Sequence, residues 1–223
     1  PDATPNRFLL IQLLAMIRTD ASLESLVEIL CDRPPRQWLE AAQVLSPLMQ
    51  RRDWPVASMY PKVFEALQHP PLASPILDLA NYTLREGMVD AHPAADRIEM
   101  LNLLLGEVVG RLSQFEENPR TFGDDVDTVQ AKLGESVALA VSLCDSVGQI
   151  GNEASIGKLN QAVELKHRRV QCEAAGALAR LDDDLGKKRL IELVAEPAAR
   201  LRAIHYADEL DLGDLVDDQY RSD

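Results

Sequence analysis

The sequence has few aromatic residues, few cysteines and no long apolar run. Only 4% of its 223 residues are aromatic while 46% are hydrophobic, so Leu and Ala supply most of the apolar content. Small and unbranched side chains suit helix-on-helix packing, and few segments show the β-branched and aromatic runs typical of strands. No stretch reaches the length of a transmembrane helix, which argues against membrane insertion. These absences predict an all-α protein.

The three cysteines are far apart and form no CxxC pair or Cys/His cluster. This spacing supports neither a disulfide framework nor a zinc site, so no metal and no cofactor is predicted. Cys31, Cys144 and Cys172 are each interpreted as a small buried hydrophobe, in a reducing, cytoplasmic compartment. The chain begins at Pro1 with neither a start methionine nor a signal-peptide pattern. It is therefore interpreted as a piece of a longer protein, from which targeting signals can have been removed.

No catalytic motif is assembled along the chain. The sequence contains neither the G-x-S-x-G of an activated serine nor the G-x-x-x-x-G-K of a phosphate loop. His69 and His92 each precede a proline in a turn and are expected to be exposed. His205 lies within a predicted helix with no acid or nucleophile placed beside it, so it is a weak candidate for a catalytic base.

The net charge of −13 excludes some partners and favours others. A strongly acidic chain repels phosphate backbones, whose binding requires Lys and Arg to displace counterions, so no nucleic-acid partner is predicted. Basic partners are favoured, although the same charge is typical of an ordinary solvated surface.

The C-terminal half contains an internal repeat. Residues 138–150, 169–181 and 200–212 align at an offset of 31, and their columns are mainly apolar, for example Cys144, Ala175 and Tyr206. Each segment ends in a polar or glycine turn. A fixed period with two short helices per period is typical of an α-solenoid. Tyr206 is larger than its column predicts, which a terminal repeat with no successor would accommodate.

Residues 168–182, with the sequence RRVQCEAAGALARLD, resemble a HEAT repeat, in particular the short bacterial form of phycobilisome-lyase-like proteins. The resemblance implies a right-handed α-α superhelix of paired antiparallel helices, with the second helices lining a concave face that binds another protein. Iron-binding relatives use His-Glu pairs, and none of the four histidines here is followed by Glu. DNA-repair relatives use a basic concave face, which the acidic charge opposes. A bilin-lyase-like role stays open.

Residues 123–223 are predicted to form regular HEAT-like repeats with an acidic C-terminal tail. Residues 1–122 form a less regular helical-repeat part, and the two parts are interpreted as one continuous solenoid. The N-terminal part shows a looser repeat at an offset of 37, including a helix predicted over 56–68. The first predicted helix, residues 6–18, is apolar on nearly every side and is expected to be largely covered.

The predicted function is a non-catalytic protein-interaction scaffold that holds another protein, or another domain of the same longer chain, on its concave face. A basic cluster at the repeated helices supplies the candidate partner-binding residues, which are Lys166, Arg168, Arg169, Arg200, Arg202 and His205. These cations could bind a partner's carboxylate or phosphate, or they could pair with acids of neighbouring repeats. Two alternatives remain: a lyase-like or cofactor-maturation protein with a small ligand in its groove, and a structural spacer.

Overall fold

A computed structural model describes residues 6–221 of the chain. Within that range the regular structure consists of α-helices and short 3-10 segments, with no strand. The predicted all-α fold is confirmed. The predicted processed N-terminus, residues 1–5, and the last two residues of the acidic tail, 222–223, lie outside the described residues.

The chain divides into two compact units, the first ending at Asp96 and the second beginning at Arg97. The first unit contains α1 (Asn6–Ile17), α2 (Asp20–Asp32), α3 (Trp38–Leu45) and α4 (Pro70–Arg85). The second unit contains α5 (Ile98–Glu117), α6 (Val126–Ile150), α7 (Ile156–Val163), α8 (Arg168–Arg180), α9 (Asp184–Leu193) and α10 (Arg200–Glu209). The division predicted between residues 122 and 123 falls inside the second unit, between α5 and α6.

Successive helices of the second unit pack in a solenoid-like manner. Helix α8 is central, because it packs against α6 and α10, which carry the matching segments of the repeat, and against the intervening helices α7 and α9. Helix α5 packs against α6 and α7. The alternation of repeated and intervening helices follows from the 31-residue period, since each period contributes one helix of each kind.

Polar and glycine turns set the ends of α6 and the start of α9. Gly151 ends α6 with a φ of 74°, a left-handed conformation that glycine adopts at little cost. The side chain of Asp125 accepts a hydrogen bond from the N–H of Thr128 at the start of α6. Asp183 does the same for the N–H of Gly186 at the start of α9. The turns predicted from the sequence therefore supply the caps that these helices need.

One helix predicted in the first unit is wrong. Residues 56–68 form two 3-10 segments, Val56–Ser58 and Lys62–Gln68, instead of one α-helix. Pro61 lies between them, and proline has no N–H to donate to the i−4 carbonyl of an α-helix. The apolar residues of this segment still face the core, since Val63, Phe64 and Leu67 are buried.

The expectation that His92 is exposed is also wrong, because its side chain is buried. Its Nδ1 accepts a hydrogen bond from the N–H of Ala94 at 3.2 Å. The hydrogen therefore resides on Nε2, which donates to Oδ1 of Asn81 at 2.9 Å. His92 thus fastens the turn after α4 to the core of the first unit.

The three cysteines are free thiols. Cys144 and Cys172 are buried as predicted, whereas Cys31 is partly exposed. Burial, followed by the negative charge of Glu173, raises the pKa of Cys172 to about 12, which keeps that thiol protonated and unreactive.

Among the described residues, no helix combines the length and apolarity needed to cross a membrane.

Candidate functional site

A buried carboxylate joins helices α8 and α10. Glu173 lies in the middle of α8, and its side chain is only 6% exposed. Nε and Nη2 of Arg202 donate to its two oxygens at 2.8 and 3.0 Å, and the hydroxyl of Tyr206 donates to Oε2 at 2.5 Å. Two charge-assisted bonds in a fork geometry, together with a hydroxyl donor, satisfy a charge that burial alone would disfavour.

Arg180, at the end of α8, extends this arrangement in both directions. Its Nη1 lies 3.1 Å from Oδ1 of Asp145 on α6, and its Nη2 lies 2.6 Å from Oε1 of Glu209 on α10. Helices α6, α8 and α10 are therefore linked by charged side chains. We call this set the charged network: Asp145, Glu173, Arg180, Arg202, Tyr206 and Glu209.

The ring of Tyr206 lies close to both arginines. The guanidinium carbon of Arg202 is 4.3 Å from the ring centroid and that of Arg180 is 4.9 Å from it, distances at which cation–π attraction is favourable. Burial, followed by the negative charges of Glu173 and Asp145, raises the pKa of Tyr206 well above its usual value. The hydroxyl therefore stays protonated and acts as a donor to Glu173.

Gly176 explains how Tyr206 fits against α8. A Cβ at Gly176 would lie 2.7 Å from three atoms of the Tyr206 ring, so only glycine allows the ring to pack there. Tyr206 is fully buried. The sequence predicted that Tyr206 uses free space at a terminal repeat. Its ring instead fills the space beside Gly176 on α8, the preceding repeated helix.

The structure places the predicted partner-binding residues in two groups. Three of them contact other parts of the second unit, and three have exposed positions. The first group is Arg168, Arg200 and Arg202, and the second is Lys166, Arg169 and His205.

Arg168 and Arg200 make contacts between the repeats. Nη2 of Arg168 lies 3.0 Å from Oε1 of Glu196, while Nη1 donates to Gln171 at 2.7 Å. Nε of Arg200 donates to the carbonyl of Val194, and its guanidinium lies 5.2 Å from the ring centroid of Tyr220. Arg169 and Arg200 share a column in the repeat, yet Arg169 is exposed on α8.

Sequence reasoning missed most of the charged network. The sequence patterns indicate no role for Asp145, Glu173, Arg180 or Glu209, and they predict Tyr206 only as a core residue. One signal was available, since Glu173 is a single acid beside the apolar run Ala174–Ala179 and has no reason to be buried without a cation. The repeat does not reveal Arg202 as the partner of Glu173, because at an offset of 31 Arg202 aligns with Gln171 and not with Glu173.

The described residues contain no group of three or more His, Cys, Asp or Glu that could hold a metal ion. No protein-family model, curated protein or solved structure matches this chain. The HEAT-like resemblance therefore stays a prediction that depends on the repeated residues alone.

His167, which precedes α8, provides a test of the local electrostatics. Burial, followed by the positive charge of Arg169, lowers the pKa of His167 from its usual 6.5, against the opposing charge of Glu116. Because the folded chain holds this histidine at a lower pKa than the unfolded chain does, the contribution of His167 to folding stability is fully present above about pH 6.5. It decreases as the pH falls below that value, since the unfolded chain then binds the proton more readily.

We expect Arg169→Ala to raise the pKa of His167 toward 6.5, because a neighbouring positive charge is removed. An NMR titration of the histidine ring signals would measure it. Lys188→Ala, which removes an exposed cation on α9, is the matched control and should leave the titration unchanged. An unchanged pKa in Arg169→Ala would show that the charge of Arg169 does not contribute to it.

Proposed function

We propose that this chain is a non-catalytic protein-interaction scaffold of HEAT-like type, whose partner binds along α6, α8 and α10. The observation that supports the proposal is the charged network, which links these three repeated helices. The side chain of Arg202 is 36% exposed and that of Glu209 is 39% exposed, so the network reaches solvent as well as the core.

A surface held in this way suits protein recognition. Long charged side chains normally lose conformational entropy when a partner orders them, and intramolecular bonds have already restricted the partly exposed Arg202 and Glu209 of the charged network. The exposed cations Arg169 and Lys166 lie at the start of α8, and His205 is exposed on α10. We infer that these groups contact carboxylates or other anionic groups of the partner, which is another protein or another domain of a longer chain.

The partly exposed free thiol of Cys31 supports a reducing, cytoplasmic setting for this role, since accessible thiols persist in such a compartment. The membership of the HEAT family and the right-handed superhelix are part of the same proposal. Both are supported by the 31-residue repeat and by the solenoid-like packing of α5 to α10.

We expect Arg169→Glu to weaken capture of the partner by roughly tenfold or more, because reversing a charge at a contact replaces attraction with repulsion. Cross-linking and mass spectrometry of complexes captured from a lysate would measure the loss and map the contact. Lys188→Glu makes the same change of charge at an exposed position on α9 and should leave capture unchanged.

Cross-links that map away from α6, α8 and α10, or equal losses in the two variants, would contradict the proposed face. A small molecule that copurifies with the chain in place of a protein would favour the lyase-like alternative. Absorbance and mass spectra of the purified chain would detect it.

A further inference from the structure

Helix α1 packs on the first unit through a narrow face. Ile11 is 6% exposed and Ala15 is fully buried, where α1 contacts α2 and α3. The side chain of Gln12 also reaches α3, donating to the carbonyl of Gln43 at 3.2 Å. These contacts fix which side of α1 faces the core.

The side of α1 opposite to Ile11 and Ala15 is apolar and exposed, so the expectation that this helix is largely covered is wrong. At 100° per residue, five large side chains lie within about 120° of the helix circumference, on the side away from the buried pair. We call them the α1 stripe: Leu9 (54% exposed), Leu10 (63%), Leu13 (47%), Met16 (54%) and Ile17 (57%). A helix of an isolated globular unit normally has polar residues on this side.

The α1 stripe is large enough for a specific contact. Since side chains of this size expose about 180 Å² each when fully accessible, these fractions correspond to roughly 500 Å² of apolar surface. Two such stripes in complete mutual contact would bury about 1,000 Å² before any polar neighbour is counted, which is about the minimum for a biological interface and typical of a dimer that dissociates readily.

The charges of α1 are compatible with a second copy of the chain at this surface. The chain carries a net charge of −13, so two copies repel one another over most approaches. Helix α1 contains no acidic residue, and its one charged residue is Arg7. Two copies that meet along the α1 stripe would therefore bring no carboxylates of these helices together.

We propose that the α1 stripe is the contact surface of a homodimer, in which α1 pairs with α1 of a second copy about a two-fold axis. An apolar stripe is complementary to itself, so a two-fold pairing uses one stripe from each chain and closes at two copies. The spacing of Leu9, Leu13 and Met16 at i, i+4 and i+7 is that of helix pairs that interdigitate. Leu13 lies at the centre of the stripe, and in an antiparallel pairing it is nearest the axis.

Sedimentation velocity on the full chain, over a dilution series from about 1 to 200 µM, tests the dimer. We expect a species of twice the 24.7 kDa chain mass that dissociates on dilution. Leu13→Gln should raise the dissociation constant roughly 100-fold or more, because each dimer loses two buried leucines. Leu103→Gln is the matched control, since Leu103 on α5 is 68% exposed and outside the stripe; it should leave the dissociation constant unchanged. Far-UV circular dichroism would verify that both variants fold.

A cysteine cross-link locates the contact. In a Cys31→Ser background, which removes the partly exposed thiol, Leu13→Cys should give a disulfide-linked dimer under mild oxidation, and Leu103→Cys should not. A wild-type chain that stays monomeric throughout the series would overturn the proposal. So would a dimer that is insensitive to Leu13→Gln, or a stripe that cross-links only to a different protein. The stripe is on the first unit and the proposed scaffold face is on the second, so either proposal can fail while the other stands.

Discussion

Replacing Arg202 with methionine is expected to destabilise the second unit by roughly 2–3 kcal/mol. The substitution preserves much of the packing of the side chain but leaves the carboxylate of Glu173 buried with only the Tyr206 hydroxyl as a donor. Breaking a buried ion pair by removing one partner typically costs about 3–5 kcal/mol, and we reduce this range because Arg202 is about one-third exposed. Urea unfolding followed by far-UV circular dichroism would measure the change.

A second substitution distinguishes the cost of leaving a buried charge unpaired from the cost of lost side-chain packing. Glu173→Met combined with Arg202→Met should be less destabilising than Arg202→Met alone, because no unpaired charge remains buried. Arg189→Met is the matched control: Arg189 is as exposed as Arg202, but its partner Glu192, at 3.0 Å, is 48% exposed where Glu173 is 6% exposed, so loss of this pair should cost less than about 0.5 kcal/mol. If the single and double variants were equally destabilised, the cost would come from lost packing and the network would hold no buried charge of consequence.

Gly148→Ala is expected to destabilise the second unit by about 2–3 kcal/mol, although alanine is normally the better helix former. A Cβ at Gly148 would lie 2.8 Å from Cβ and 2.9 Å from Cα of Ala177. Neither atom belongs to a flexible side chain, so α6 and α8 would have to move apart. Thermal and urea unfolding would give the free-energy change, and hydrogen exchange would show increased opening of these two helices.

The same helix provides the control. Gly134 also lies in α6, but a Cβ there would have no neighbour within 4 Å. Gly134→Ala should therefore stabilise the chain by about 0.5–1 kcal/mol, through helix propensity alone. The same Gly-to-Ala substitution is thus expected to lower the free energy of unfolding at one position of α6 and to raise it at another. A stabilising Gly148→Ala would mean that α6 and α8 do not approach as closely as the structure indicates.

Local sequence patterns predicted the helices of the second unit well. The apolar columns at an offset of 31 predicted α6, α8 and α10, and the acids and glycine of the turns predicted their limits. Such features act over three or four residues, so one chain is sufficient to recognise them. The helix predicted over 56–68 failed for a local reason too, because Pro61 interrupts a spacing that otherwise favours an α-helix.

Features that depend on distant residues were not predictable in the same way. The apolar stripe of α1 was expected to be covered, since composition does not reveal how many sides of a helix find a neighbour. His92 was expected to be exposed because it precedes a proline, but Asn81 provides a buried acceptor for it. Helix α5 lacks the repeat pattern, yet it packs on α6 and belongs to the second unit.

The sequence alone determined the helical class, the 31-residue repeat and the polar and glycine turns that cap α6 and the start of α9, because each can be recognised from the chain without its tertiary contacts. Only the tertiary structure decided the role of the candidate arginines. Arg202 binds Glu173, which lies 29 residues earlier, at a position set by the crossing of α8 and α10 rather than by the repeat. Arg169 occupies the column of Arg200, and yet it is exposed. Side chains in equivalent columns meet different neighbours once the helices pack, and those neighbours decide which charges are held within the fold and which are open to a partner.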